Sequence, residues 1–232
     1  MELSSKDLKQ VVVFQNATEA DLQLILQNSI LRSMEESGYF FFQGDPANYL
    51  YILTSGQIKL LQTNPNGQNV NLRTIYPWQM FGALGAVRPD ATYPASAQAL
   101  ENSAALAISS DFLHSMLETR PYLSFDLMKL MTSYIQEMQE RYRELATERV
   151  EQRVASVLLR LAAQTGIKAG KETSIKLSFS RQDLAEMTGT TLYTVSRLLS
   201  EWERRKIVTT GRERINILKP HELVRIADNL EK

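Results

Sequence analysis

Tyr193, Ser196, Arg197 and Ser200 stand at i, i+3, i+4 and i+7, so a helix would carry a phenol, two hydroxyls and a guanidinium on one face. Of these, Arg197 has the most specific chemistry. A guanidinium can donate two parallel hydrogen bonds to O6 and N7 of a guanine, worth about 1–3 kcal/mol of discrimination. Val195, Leu198, Leu199 and Trp202 repeat the same spacing two residues on and form the apolar stripe that would anchor that helix.

The residues upstream supply the elements that would aim it. Ser180 is placed to cap a first helix, and Asp183, three residues on, completes a capping box. Leu184 and the small Ala185 face inward, Gly189 supplies a turn of positive φ, and Thr191 caps the second helix. Residues 180–206 therefore read as a helix-turn-helix, whose second helix enters the major groove. A plain αα-hairpin would not need the small residue, the turn glycine and the inward valine at these spacings. After it, Ile207–Val208, the turn residues Thr209–Glu213 and the alternating Arg214–Ile217 predict a β-hairpin packed as a wing.

The net charge is zero, but its distribution is uneven. Residues 1–123 hold 7 basic and 11 acidic side chains, whereas residues 171–219 hold 10 basic and 6 acidic ones. The basic excess lies on the segment that would meet phosphates. The absence of cysteine excludes disulfides, iron–sulfur clusters and cysteine-ligated zinc. With only His114 and His221, a multi-histidine metal site is not expected, and both read as surface residues. There is no Walker loop, no Gly-x-Ser-x-Gly elbow and no acid/base carboxylate pair, which argues against an enzyme. No apolar run reaches the ~18–20 residues of a membrane span, and the N-terminus lacks a signal pattern, so a cytoplasmic location is expected.

Residues about 5–35 read as helical, with Thr18 as a cap and an apolar stripe that includes Ile25, Ile30 and Leu31. From Ser37 to Ile108 short runs of Tyr, Phe, Ile and Leu alternate with Gly and Pro turns, predicting a small β-barrel or sandwich. Ser110–Asp111 opens a short helix ending near Pro121. Beyond it, Met128, Met131, Ile135, Met138, Tyr142 and Leu145 step alternately by three and four, the seam of a dimer helix. Leu127, Leu130 and Tyr134 form an adjoining stripe that would pack on the β domain. The helix is expected to run on into Val154, Val157, Leu158 and Leu161, with the domain boundary near Glu144–Val150. The expected class is α+β: a sensor domain over 1–123, a dimerisation helix over 124–148 and a winged helix-turn-helix over 149–232.

In this order the motifs resemble those of the bacterial cyclic-AMP receptor protein / fumarate–nitrate reductase regulator (CRP/FNR) family. The resemblance rests on Gly38…Gly44-Asp45-Pro46…Tyr51…Ser55-Gly56…Leu60, on Phe81-Gly82-Ala83-Leu84-Gly85 and on Arg181-Gln182-Asp183-Leu184-Ala185…Gly189…Thr194-Val195-Ser196-Arg197. It implies a cyclic-nucleotide-binding-like barrel (jelly roll), a homodimer on palindromic double-stranded DNA, an activator of transcription with RNA polymerase as partner, and no membrane contact. It places the base-reading positions at Leu192, Tyr193 and Arg197, beside Ser196. Arg181, Gln182, Thr191, Thr194, Arg212 and Arg214 fall where the DNA backbone would be held. Leu192 and Tyr193 lack the polar groups of cyclic-AMP-type members, so an operator other than their TGTGA-like half-site is expected.

The effector pocket departs from that pattern. The candidate positions are Gly82, Ala83, Leu84, Gly85, Tyr93, Pro94, Met138 and Gln139. Ala83 stands where cyclic-AMP binders carry Glu, Tyr93-Pro94 where they carry Arg-Ser, and Met138-Gln139 where they carry Thr-Ser. A cyclic phosphate would lack its cation there, so cyclic AMP is disfavoured. Backbone N–H groups near Gly82–Gly85 could still attract an anion. Haem sensing, through His114 or His221, a small organic effector and effector-independent binding remain as alternatives. A further alternative is a ligand-binding protein whose helix-turn-helix does not touch DNA.

Overall fold

The computed structural model describes residues 3–65, 67, 69–88, 90–165, 167–168, 175–177, 180–211 and 214–229. Contacts divide the chain into two compact units, Met1–Gln136 and Glu137–Lys232. The first begins with α1 (Ser5–Leu8), a 3-10 turn at Val12–Phe14 and α2 (Glu19–Gln27), which Thr18 caps by accepting from the Asp21 N–H at 3.2 Å.

The expected helix does not continue to residue 35. Asn28 Nδ2 donates to Leu24 O, Ser29 Oγ donates to Leu26 O, and the chain turns into strand β1 (Ser29–Met34). Ile30 and Leu31, expected in the helical stripe, are more than half exposed on this strand. Strand β1 is held by pairing with residues 103–108, a distant partner that local periodicity does not reveal.

Strands β2 (Tyr39–Phe41), β3 (Tyr49–Ser55), β4 (Ile58–Thr63), β5 (Asn69–Ile75) and β6 (Met80–Phe81) follow. Then come α3 (Leu84–Val87), β7 (Ser96–Ala99), β8 (Ser103–Ser109), α4 (Ser110–Thr119) and α5 (Pro121–Thr147). Helix α4 opens at Ser110, as expected, and Ser109 caps it. The strands form two antiparallel four-stranded sheets, β1-β8-β3-β6 and β2-β7-β4-β5, which are not closed into a single barrel. Between them lies a core of Phe40, Phe41, Tyr51, Leu53, Phe81 and Tyr93, spaced by the small Ala97, Ala99, Ala105 and Ala107. The other face of β3 and β8 packs through Leu50, Ile52, Leu106 and Ile108 on the helices, including Leu123 and Leu127 of α5. Because both faces of β3 are covered, its sequence is a continuous apolar run instead of an alternation.

The second unit contains the end of α5, then α6 (Val150–Thr165), β9 (Ile167–Lys168), β10 (Ile175–Leu177), α7 (Arg181–Thr188) and α8 (Leu192–Arg204). It closes with β11 (Val208–Gly211), β12 (Arg214–Ile217) and α9 (Pro220–Ala227). Strand β12 joins its hairpin partner β11 to β10, and β9 lies at the far edge. The expected continuous helix is interrupted at Glu148–Arg149. The Thr147 hydroxyl turns back to Arg143 O, and the Arg149 N–H is taken by Gln152 Oε1 at 3.0 Å, so one helix ends and another is capped. Trp202, fully buried, centres a core with Val154, Leu158, Leu184, Val195 and Leu199.

Asp21 ties α2 to the start of α5. Its carboxylate accepts from Thr18 Oγ1 at 2.6 Å, from Tyr122 OH at 2.5 Å and from Arg120 Nε. Burial would raise its pKa, but the hydrogen bonds from Thr18, Tyr122 and Arg120 outweigh that and hold it at about 2. The folded value lies below the unfolded one of about 3.9. The stability it contributes is therefore complete above that unfolded value and is lost as pH falls toward the folded one. Asp21→Asn should lower the thermal midpoint at neutral pH and flatten the acid limb of a thermal-denaturation series. An unchanged acid limb would refute this role.

Candidate nucleic-acid interface and sensor pocket

The helix-turn-helix is built by local caps. Ser180 accepts from the Asp183 N–H at 3.0 Å while Asp183 Oδ2 accepts from the Ser180 N–H at 3.1 Å. Gly189 ends α7 in the left-handed region, φ 61° and ψ 42°, where a Cβ is strained. Thr191 Oγ1 accepts from the Thr194 N–H at 3.2 Å and starts α8. With Val195, Leu198, Leu199 and Trp202 buried, the opposite side of α8 points outward. Leu192, Tyr193 and Arg197 are exposed there, Tyr193 at 78 %, while Thr194 and Ser196 are half-buried.

The expected backbone contacts divide. Thr191 and Gln182 are exposed, and Gln182 Nε2 donates to Glu186 Oε1 at 3.1 Å. Arg181 is turned to the wing, where its Nη2 donates to Thr210 Oγ1 at 2.9 Å. Thr210 N–H in turn donates to Glu203 Oε1 at 2.9 Å, so the hairpin is fastened to both helices of the motif. Arg214 is exposed on β12, and Arg212 lies outside the described residues.

In the first unit, the pocket positions Gly82 and Tyr93 come together, and the space between the sheets is occupied by aromatic rings. Tyr93 stacks on Phe41 with centroids 3.6 Å apart and planes at 15°. A Cβ on Gly82, whose φ is 74°, would lie 3.1 Å from the Tyr93 ring and 3.2 Å from that of Phe41. The Tyr93 hydroxyl donates to Tyr49 O at 2.6 Å and accepts from the Tyr49 N–H at 3.1 Å. Burial pushes this phenol above its ordinary range, so it stays a neutral donor. At the neighbouring strands Arg32 Nη1 donates to Tyr51 OH at 3.2 Å, and its guanidinium stands 4.3 Å over the Tyr49 ring. Ala83 packs toward the helical core, Leu84 and Pro94 are exposed, and Gly85 lies within α3. Met138 and Gln139 are exposed on α5.

The expected seam is uncovered. Met128, Met131, Ile135, Met138, Tyr142 and Leu145 range from 37 % to 75 % exposed, whereas Leu127 is buried and Leu130 half-buried against the helical core. The Tyr134 ring lies 3.8 Å from the Arg73 guanidinium, a cation–π contact. A cavity of about 530 Å³ opens beside the seam, lined by Val87, His114, Leu117, Met128, Met131 and Ile135 among others. His114 is half-exposed, 3.5 Å from Glu118.

Phe41, Arg141 and Arg153 belong to none of the motifs in the sequence. Arg153 is only 9 % exposed. It lies four residues before Val157 and eight before Leu161, on the core face of α6, and an arginine continuing an apolar stripe was the available signal.

Tyr93→Phe keeps the stack but leaves the Tyr49 N–H and carbonyl without their partner. It should destabilise the first unit by about 1–3 kcal/mol in a urea titration of the whole chain. A neutral result would show that these groups find another partner.

Residues 31–120 match the cyclic nucleotide-binding domain family, and residues 152–226 match the Crp-like helix-turn-helix domain family. The anaerobic regulatory protein of Bacillus subtilis is 26 % identical over 207 residues, covering 89 % of this chain and 87 % of the relative. A global nitrogen regulator of Synechococcus elongatus is 28 % identical over 193 residues, 82 % of this chain and 86 % of the relative. In fold, the chain is similar to the c-di-GMP responsive global regulator CLP of Xanthomonas campestris, with TM-score 0.76, 18 % identity and coverage of 86 % and 99 % of the two chains. FixK2 of Bradyrhizobium japonicum is comparable, with TM-score 0.74, 20 % identity and coverage of 85 % and 96 %. A cyclic-nucleotide-binding-like domain of two sheets, a long helix and a winged helix-turn-helix, matched in that order, establish that the chain belongs to the CRP/FNR family of DNA-binding transcription regulators, which are not enzymes.

Proposed function

We propose that this chain acts as a homodimer that reads a palindromic operator with α8 and regulates transcription. The observation that carries this is the one-sided burial of α8. One side is anchored in the core by Val195, Leu198, Leu199 and Trp202, and the other presents Leu192, Tyr193 and Arg197 from its first turns. A helix held this way meets base edges with its N-terminal residues. Arg197 supplies the bidentate guanine contact, Tyr193 and Leu192 offer apolar contact to a thymine methyl, and Ser196 lies among them. Gln182, Thr191, Thr194 and Arg214 supply contacts to phosphate and sugar, and Arg181 does so once released from Thr210.

The uncovered seam supports the dimer. Burying a side chain of this size contributes about 1.5–3 kcal/mol, so six of them contribute on the order of 10 kcal/mol. Association itself costs roughly 4–15 kcal/mol, so the seam accounts for a dimer only when it is covered along most of its length. Activation follows the relatives named transcriptional activator protein Anr, and RNA polymerase is the partner that the family resemblance implies.

A reading without cyclic nucleotide is favoured for the sensor. The Phe41–Tyr93 stack sits against Gly82, and Ala83 and Pro94 bring neither carboxylate nor cation to it. Operator binding is then independent of cyclic AMP.

Three measurements test this reading. Arg197→Ala should lose about 1–3 kcal/mol of preference for the selected operator over random duplex and keep salt-sensitive non-specific binding. Unchanged preference would sink the assignment. Ile135→Glu should shift the sedimentation coefficient from dimer to monomer, and a wild-type monomer would contradict the seam. Titrating cyclic AMP into a fluorescence-anisotropy assay should leave operator affinity unaltered, and a tightening would overturn the closed pocket.

A further inference from the structure

The last turn of α7 leaves carbonyls that its own helix cannot satisfy. Ala185 O accepts from the Gly189 N–H and from the Thr190 N–H. The last two are met from outside the motif. Met187 O accepts from Arg141 Nη2 at 2.8 Å, and Thr188 O accepts from Arg153 Nε at 3.1 Å. The opposite edge of the same Arg153 guanidinium reaches Glu148 O at 2.7 Å, at the break between α5 and α6. One buried side chain on α6 thus closes the ends of two helices.

The surroundings make this junction stiff. Glu144 forms a bidentate pair with Arg160 and fixes the last turn of α5 to α6. Leu145 lies against the turn, its Cδ2 3.0 Å from where a Gly189 Cβ would stand. Cations are favoured at a helix C-terminus, and hydrogen bonds from a guanidinium are stronger than neutral ones. All of these residues belong to the second unit. Only Gly189, Thr190 and Thr191 separate the clamped carbonyl of Thr188 from the first residue of α8.

We propose that Arg141 and Arg153 are positioning residues for sequence reading: by clamping the end of α7 they fix the pitch of α8. This rests on the DNA-reading assignment above and adds what aims the helix. Base-edge hydrogen bonds demand placement within about 0.5 Å, whereas attraction to phosphates falls off gradually with distance. Loosening the clamp therefore removes specificity and spares non-specific affinity.

The test uses the full-length chain. Wild-type protein selects duplexes from a randomised pool, and the enriched sequence serves as operator. Arg141→Met, which has no donor for Met187 O, should bind that operator about tenfold more weakly. Its affinity for a random duplex and its salt dependence should not change. Arg141→Lys, which keeps a donor for Met187 O, should recover part of the loss. Arg153→Lys should behave likewise, and circular dichroism checks that each variant is folded. A structural role alone would lower the thermal midpoint and leave the ratio of the two affinities unmoved. That result, or equal losses on both duplexes, overturns the proposal. Should Arg153→Lys not fold, the Arg141 variants decide, because Arg141 is only half-buried. A wild-type chain that enriches no sequence overturns the DNA-reading assignment itself, and the clamp with it.

Discussion

Helix α5 has two apolar stripes, and the chain covers only one of them. Leu123, Leu127 and Leu130 pack on the helical core of the first unit, while Met128, Met131, Ile135, Met138 and Tyr142 stay open to solvent. An uncovered row of methionines and an isoleucine on one helix is a liability in a monomer and a requirement in a dimer. The constraint extends to the end of the helix, where Leu145 meets the Gly189 turn and Arg141 meets Met187. The covered stripe belongs to the first unit, and the last turns belong to the unit that carries the helix-turn-helix.

The first unit has the two sheets of a cyclic-nucleotide-binding-like domain, and aromatic rings fill the space between them. Small alanines on β7 and β8 leave room between the sheets, and Phe40, Phe41, Tyr51, Phe81 and Tyr93 occupy it. The Tyr93 hydroxyl donates to the Tyr49 carbonyl and accepts from the Tyr49 N–H. A phenol that is neutral, buried and doubly hydrogen-bonded is a structural strut, poorly suited to receive a phosphate. Arg32 remains as a cation at this face, held by the Tyr51 hydroxyl and the Tyr49 ring.

The second unit spends its polar groups on alignment. Caps at Ser180 and Thr191, the left-handed Gly189 and the fastening of the wing through Arg181 and Glu203 leave little freedom in the turn. Among the described residues, Arg197, Tyr193 and Leu192 carry no comparable anchors and stand in solvent. A rigid frame presenting free side chains is the arrangement expected of a surface whose partner completes it.

Much of this was legible in the chain. The capping box, the turn glycine, the buried stripe of α8 and the second apolar stripe of α5 all depend on groups three or four residues apart, so spacing alone determined them. The same locality misled at Ile30 and Leu31, where an apolar pair fits a helix and a strand equally well and the partner strand lies more than seventy residues away. It misled again at Thr147–Arg149, where side chains recapped the backbone and broke a helix that propensity would continue. Tyr93 could be read as a missing arginine, but only the fold placed it against Phe41, because they meet as β2 and β7 pair. The apolar stripe of α6 places Arg153 on the core face, but only tertiary structure supplied its acceptors. Its acceptor in α7 is thirty-five residues distant, and a buried guanidinium is tolerated only where folding delivers carbonyls to its donors.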